Sequence, residues 1–135
     1  MLNALDGMMA STYHLQSKLG EVLNEIGDVL SDAAIYFPLI LLSDLRIELS
    51  ILFIILSLVN EFCGILSKVI SGKRRYDGPM GKSDRAFLIG VICLLFYFDV
   101  PLGPYLNYIF ITASILLTIS SFVRLNKSIR NEKNI

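Results

Sequence analysis

Cysteine, histidine, glycine and charge are all scarce in this 135-residue chain, and each shortage closes off a class of protein. The two cysteines, Cys63 and Cys93, lie inside apolar runs, which excludes a disulfide scaffold and leaves neither a metal-binding nor a redox spacing. They name no redox compartment. Nine glycines are too few for a collagen-like repeat, and aliphatic residues are too abundant for intrinsic disorder. The single histidine, His14, falls in a polar linker, where a surface side chain is the simpler reading than a ligand. No charge of either sign is in excess, 12 Lys+Arg standing against 12 Asp+Glu, so nothing points to a nucleic-acid partner. Met1 to Ala10 contain Asn3 and Asp6 but no basic stretch ahead of an apolar core, unlike a signal peptide. Period-2 alternation, internal repeats, low-complexity tracts and long linkers are missing too, so residues 1–135 read as one membrane domain.

What is present is apolar. Hydrophobic residues make up 54% of the chain and charged ones 18%, with a mean hydropathy of +0.63. A soluble domain of this size has too little interior to hide that much apolar surface. The expected fold is therefore an all-α polytopic transmembrane bundle, because in lipid only helices or closed barrels satisfy the backbone. Four hydrophobic helices are expected, at Gly20 to Leu42, Ile47 to Ile70, Ala86 to Phe98 and Tyr105 to Val123. The third is short and stops at Asp99-Val-Pro, which leaves a tilted or re-entrant segment as an alternative.

Basic residues set the sidedness. Eleven of the twelve fall at Lys18, at Lys68, Lys73, Arg74, Arg75, Lys82 and Arg85, and at Arg124, Lys127, Arg130 and Lys133. Only Arg46 lies on the other side. The positive-inside bias places both termini, the basic loop 72–85 and the tail 124–135 in the cytoplasm. Aromatic residues at 96–98 and 105–110 then form an interfacial belt on the far face.

Glu21, Glu25, Asp28 and Asp32 step by four, three and four residues, so on a helix they share one face, with Asn24 beside them. Carboxylates this close repel unless a cation joins them, and inside a membrane they line a cavity or pathway rather than meet lipid. Glu21 and Glu25 suit an interfacial first turn equally well. Asn3 and Asp6, three residues apart, add oxygen donors from a second segment, and Gly7 with Ala10 lets helices approach closely. All-oxygen donors suit Mg²⁺ or Mn²⁺.

These residues resemble the CDP-alcohol phosphatidyltransferase family. Its signature is D-x-x-D-G-x-x-A-R, eight or nine residues, then G-x-x-x-D-x-x-x-D. Here the chain reads Asn3-Ala-Leu-Asp6-Gly7-Met-Met-Ala10-Ser11, eight residues, then Gly20-Glu-Val-Leu-Asn24-Glu-Ile-Gly-Asp28. Spacing matches throughout, while Asn3 and Asn24 stand at two aspartate positions and Ser11 at the arginine. The stretches Gly27 to Pro38 and Arg75 to Arg85 are similar to a bacterial branch of the family, implying the bacterial inner membrane. The resemblance implies an integral-membrane enzyme of phospholipid synthesis. It would transfer a phosphatidyl group from a CDP-linked lipid to an acceptor alcohol and release CMP. It also implies divalent metal at Asn3, Asp6, Asn24 and Asp28, with Asp28 as the base for the incoming hydroxyl. Gly7, Ala10 and Gly20 would be small positions of the substrate site. A homodimer is implied as well.

An amide oxygen ligates a cation without adding charge, so Asn3 and Asn24 lower the ligand charge by two, and Asp32 is expected to supply part of it. Lys82 and Arg85 suit a substrate phosphate; Arg85 equally suits a clamp to Asp84 or to the carboxylate stripe. Lys73 and Arg74 fit topology and anionic headgroups. Glu61, in an apolar run, faces a cavity, snorkels, or bonds across helices. The family has six membrane helices and its signature opens at the end of the second. The expectation is thus four helices of six, and a chain inactive or weakly active by itself. A second reading is a non-enzymatic four-helix membrane protein whose acidic stripe passes cations or protons.

Overall fold

The computed structural model describes residues 18–72 and 77–132. Its described elements are α1 (Lys18–Tyr36), a 3-10 turn (Phe37–Leu41), α2 (Ile47–Ser71), α3 (Lys82–Tyr97) and α4 (Gly103–Glu132). Among the described residues there is no strand. The chain divides into two compact units at Tyr36, so α1 is one body and the elements from Phe37 onward are another.

The first expected span, Gly20 to Leu42, is an α-helix only to Tyr36. Pro38 is the reason: proline disfavours helical backbone at the residue before it and removes an amide donor, so Phe37–Leu41 tightens into a 3-10 turn. Among the described residues two helices are long and apolar enough to cross a membrane, over Ile47–Ile70 and Gly103–Arg130. Sixteen residues give α3 a length of about 24 Å, short of the roughly 30 Å hydrocarbon core. The last helix outruns its expected end at Val123, because Arg124 and Ser128 are buried and continue its packed face.

The core of the second unit is the seam between α2 and α4. Buried positions on α2 are Ser50, Phe53, Ser57, Asn60, Gly64 and Ser67, alternating steps of three and four. On α4 they are Leu106, Phe110, Ala113, Leu117, Ser120 and Arg124, with the same alternation. That repeat keeps one narrow stripe of each helix facing the other. Small residues dominate because lipid offers no hydrophobic drive between helices, so backbones must come close to gain van der Waals contact. Phe53 and Phe110 meet edge to face with centroids 5.1 Å apart. Several hydroxyls are satisfied within their own helix, one turn back: Ser67 donates to Cys63 O at 2.7 Å and Ser128 to Arg124 O at 2.8 Å. Outward-facing Ile51, Ile55, Phe62, Ile111, Ile115 and Phe122 are exposed, as a lipid-facing surface requires.

Both ends of the seam are pinned. At one, Asn107 accepts the Arg46 N–H at 3.0 Å and donates to Asp44 O at 3.4 Å, tying the segment before α2 to the start of α4. Asn107 pairs with residue 46 and Ser121 with Asn60, so α2 and α4 run in the same direction and α3 returns between them. At the other end Gly78, at φ +105°, lies against Ser120; a Cβ there would come within 2.9 Å of the Ser120 Cα. Helix α3 is joined to α2 by a buried ion pair, Arg85 Nη2 donating to Glu61 Oε1 at 2.5 Å.

Gly78→Ala is expected to prevent the loop from seating on α4, seen as a lower yield of monodisperse protein in detergent and a lower Tm; wild-type behaviour would contradict the close approach. For the ion pair, removing one member of such a buried pair typically costs about 3–5 kcal/mol. A double-mutant cycle with Glu61→Leu and Arg85→Leu, read by denaturant unfolding in micelles, is therefore expected to show a coupling of about 2 kcal/mol or more.

Candidate functional site

Helix α1 carries the acidic stripe. Exposed Leu19, Val22, Leu23, Ile26 and Leu30 occupy one part of its circumference. Glu25 and Asp28 are half-buried and Asp32 is buried, with Tyr36 one turn further on the same side. Its apolar side chains are therefore the accessible ones and its carboxylates the protected ones, which is the arrangement of a helix whose outer face meets hydrocarbon. Asn24 is exposed and lies one turn before Asp28.

The helix thus presents Asn24, Asp28 and Asp32 as oxygen donors in successive turns. Among the described residues no three His, Cys, Asp or Glu side chains come together as a ready metal-binding group. The donor set expected from the sequence also draws on Asn3 and Asp6, which lie outside the described residues, as do Gly7, Ala10, His14, Lys73 and Arg74. Gly20 lies in the first turn of α1. The chemistry of the remaining donors, all hard oxygens, fits a divalent cation of the Mg²⁺ type.

A second group of polar residues sits where the loop before α3 meets α2 and α4. Arg124 is 1% exposed; its Nη1 donates to Asn60 O at 2.9 Å and its Nε to Asp77 O at 3.1 Å. Asn60 Nδ2 donates to Met80 O at 3.4 Å, and Ser121 Oγ donates to Asn60 Oδ1 at 3.4 Å. Lys127 pairs with the Asp77 carboxylate at 3.1 Å. Because Met80 is held beside Asn60, the loop reaches back along α2 from its end at Ser71 by about three turns, roughly 16 Å.

That loop delivers the first turn of α3, where Asp84 Oδ2 accepts the Gly81 N–H at 2.8 Å and caps the helix. Lys82 is half-buried there. Arg85 is fully buried and pairs with Glu61. Glu61 is the group that holds it, which also resolves Glu61 as a bond between helices. An apolar groove of about 490 Å³ opens between α3 and α4, lined by Phe87, Leu88, Val91, Ile109 and Leu116, with Met80 and Asp84 also bordering it.

The sequence reading did not single out Asn60, Asp77 or Arg124 as a unit. The available signal was the three-and-four spacing of small and polar residues through two otherwise apolar helices, which continues through Asn60 and Arg124.

Comparison with known proteins agrees with the motif. The sequence profile of the CDP-alcohol phosphatidyltransferase family matches residues 1–120. The chain is 44% identical over 116 residues to the inner membrane protein YnbA of Escherichia coli strain K12, an alignment covering 86% of this chain and 58% of YnbA. It thus spans a little over half the length of that curated relative. No solved structure matches. With the signature spacing, the acidic helix and the profile extending over most of its length, the chain belongs to the CDP-alcohol phosphatidyltransferase family.

Proposed function

We propose that this protein works in phospholipid synthesis at a bacterial inner membrane, moving the phosphatidyl group of a CDP-linked lipid to an acceptor alcohol with release of CMP. The observation that carries the reading is α1: its Leu, Ile and Val side chains are exposed while Asp28 and Asp32 are withdrawn. In a membrane that costly placement of charge marks function. The excess of basic residues places the termini and the 72–85 loop on the cytoplasmic side, where CDP-linked donors are available.

Asn24, Asp28 and Asp32, with Asn3 and Asp6, would hold Mg²⁺ or Mn²⁺, which when bound would neutralise the donor's pyrophosphate and the charge growing on departing CMP. Asp28 takes the proton of the acceptor hydroxyl. The freed oxygen bonds to the lipid-side phosphorus, and the bond from that phosphorus to the bridging oxygen breaks, so CMP leaves with the bridging oxygen. Asp32 restores part of the negative charge that Asn3 and Asn24 lack. Lys82 faces phosphate, and Arg85, fully buried against Glu61, holds the first turn of α3 that carries it. The groove between α3 and α4 suits the donor's hydrocarbon.

The assay is CMP release from CDP-diacylglycerol in native membranes containing the protein, with glycerol 3-phosphate, inositol phosphate and serine offered in turn. Chelation is expected to stop release, and Mg²⁺ or Mn²⁺ to restore it. Asp28→Asn is expected to lower the rate by about 10²- to 10⁴-fold, the usual loss of a general base; a rate within a few-fold of wild type would remove Asp28 from that role. Asp32→Ala should slow turnover and raise the cation concentration needed for half-maximal rate, and an unchanged cation dependence would reject its part in metal binding.

A further inference from the structure

Arg124 lies 39 residues beyond Arg85 in the chain, yet its side chain acts on the segment leading to Arg85. Its guanidinium donates to two backbone carbonyls, Asn60 O at 2.9 Å on α2 and Asp77 O at 3.1 Å on the loop. Asn60 then reaches Met80 O at 3.4 Å. Two loop carbonyls are thus gripped, on either side of Gly78-Pro79, and Gly78 sits too close to Ser120 for any side chain. The first turn of α3 follows at Lys82.

A grip on carbonyls fixes the path of the chain whatever side chains the loop bears. It needs a planar donor that reaches two directions at once, which a guanidinium offers and an ammonium does not. We propose that Arg124, with Asn60, is a positioning residue of the transferase: it sets where the first turn of α3 stands and so aims Lys82. This rests on the reading of Lys82 as a phosphate contact. The alternative, in which Arg124 contributes positive charge alone, predicts that lysine would replace it.

The test compares Arg124→Lys and Arg124→Gln with wild type in detergent, by amide hydrogen exchange of a peptide covering residues 77–88 and of a control peptide within α2. Both variants are expected to exchange about tenfold faster in 77–88 and at the wild-type rate in the control. Both are also expected to raise KM for CDP-diacylglycerol by about tenfold with kcat changed less, as misplaced contacts would. Wild-type exchange in Arg124→Lys would overturn the proposal in favour of charge alone, and unchanged exchange in both would overturn it outright. Should the Arg124 variants not fold, Asn60→Ala decides in the same way, faster exchange in 77–88 supporting the proposal and unchanged exchange refuting it. Should the wild-type chain release no CMP, as a weakly active four-helix chain would, the exchange result alone decides whether Arg124 sets the loop.

Discussion

Inside hydrocarbon a polar atom that finds no partner costs several kcal/mol, and no water is at hand to supply one. The second unit of this protein is organised around that constraint. The hydroxyls of Ser67, Ser121 and Ser128 turn back on carbonyls of their own helices, while those of Ser57 and Ser114 are buried with no hydrogen-bond partner among the described residues; Asn107 closes one end of the seam through backbone groups, and Arg124 closes the other. Apolar packing contributes through close approach, as with Phe53 and Phe110, but the identity of the contacts is set by hydrogen bonding.

The same constraint explains the two charge-bearing parts of the molecule differently. On α1 the carboxylates occupy a protected side and the aliphatic residues the accessible one. Like charges repeated along one helix repel unless something cationic answers them. Arg85 and Glu61 answer one another at 2.5 Å, and the pair fixes the place of α3 against α2.

Much of this was legible in the amino-acid sequence. The hydrophobic runs located α2 and α4 because sustained apolar length has one physical use. The spacing of Glu25, Asp28 and Asp32 implied one face of a helix, and these residues lie half-buried to buried along α1, since helical geometry is local. The end of α1 was misread: the apolar composition of Phe37 to Leu42 hid the effect of Pro38. The extension of α4 was missed for the opposite reason, as Arg124 reads as the polar edge of a span yet is buried by partners far away in sequence. Arg85 showed its chemistry but not its partner, because Glu61 lies 24 residues earlier and no local periodicity relates two helices.

The descent of the loop before α3 alters the membrane around it. Long neighbours and a short α3 cannot all match one hydrocarbon thickness, and the carbonyls of residues 77–80 sit well inside the ends of α2. Where a bilayer meets helices of such unequal length it thins or dips, so its surface beside residues 77–80 is expected to lie lower than at the end of α2.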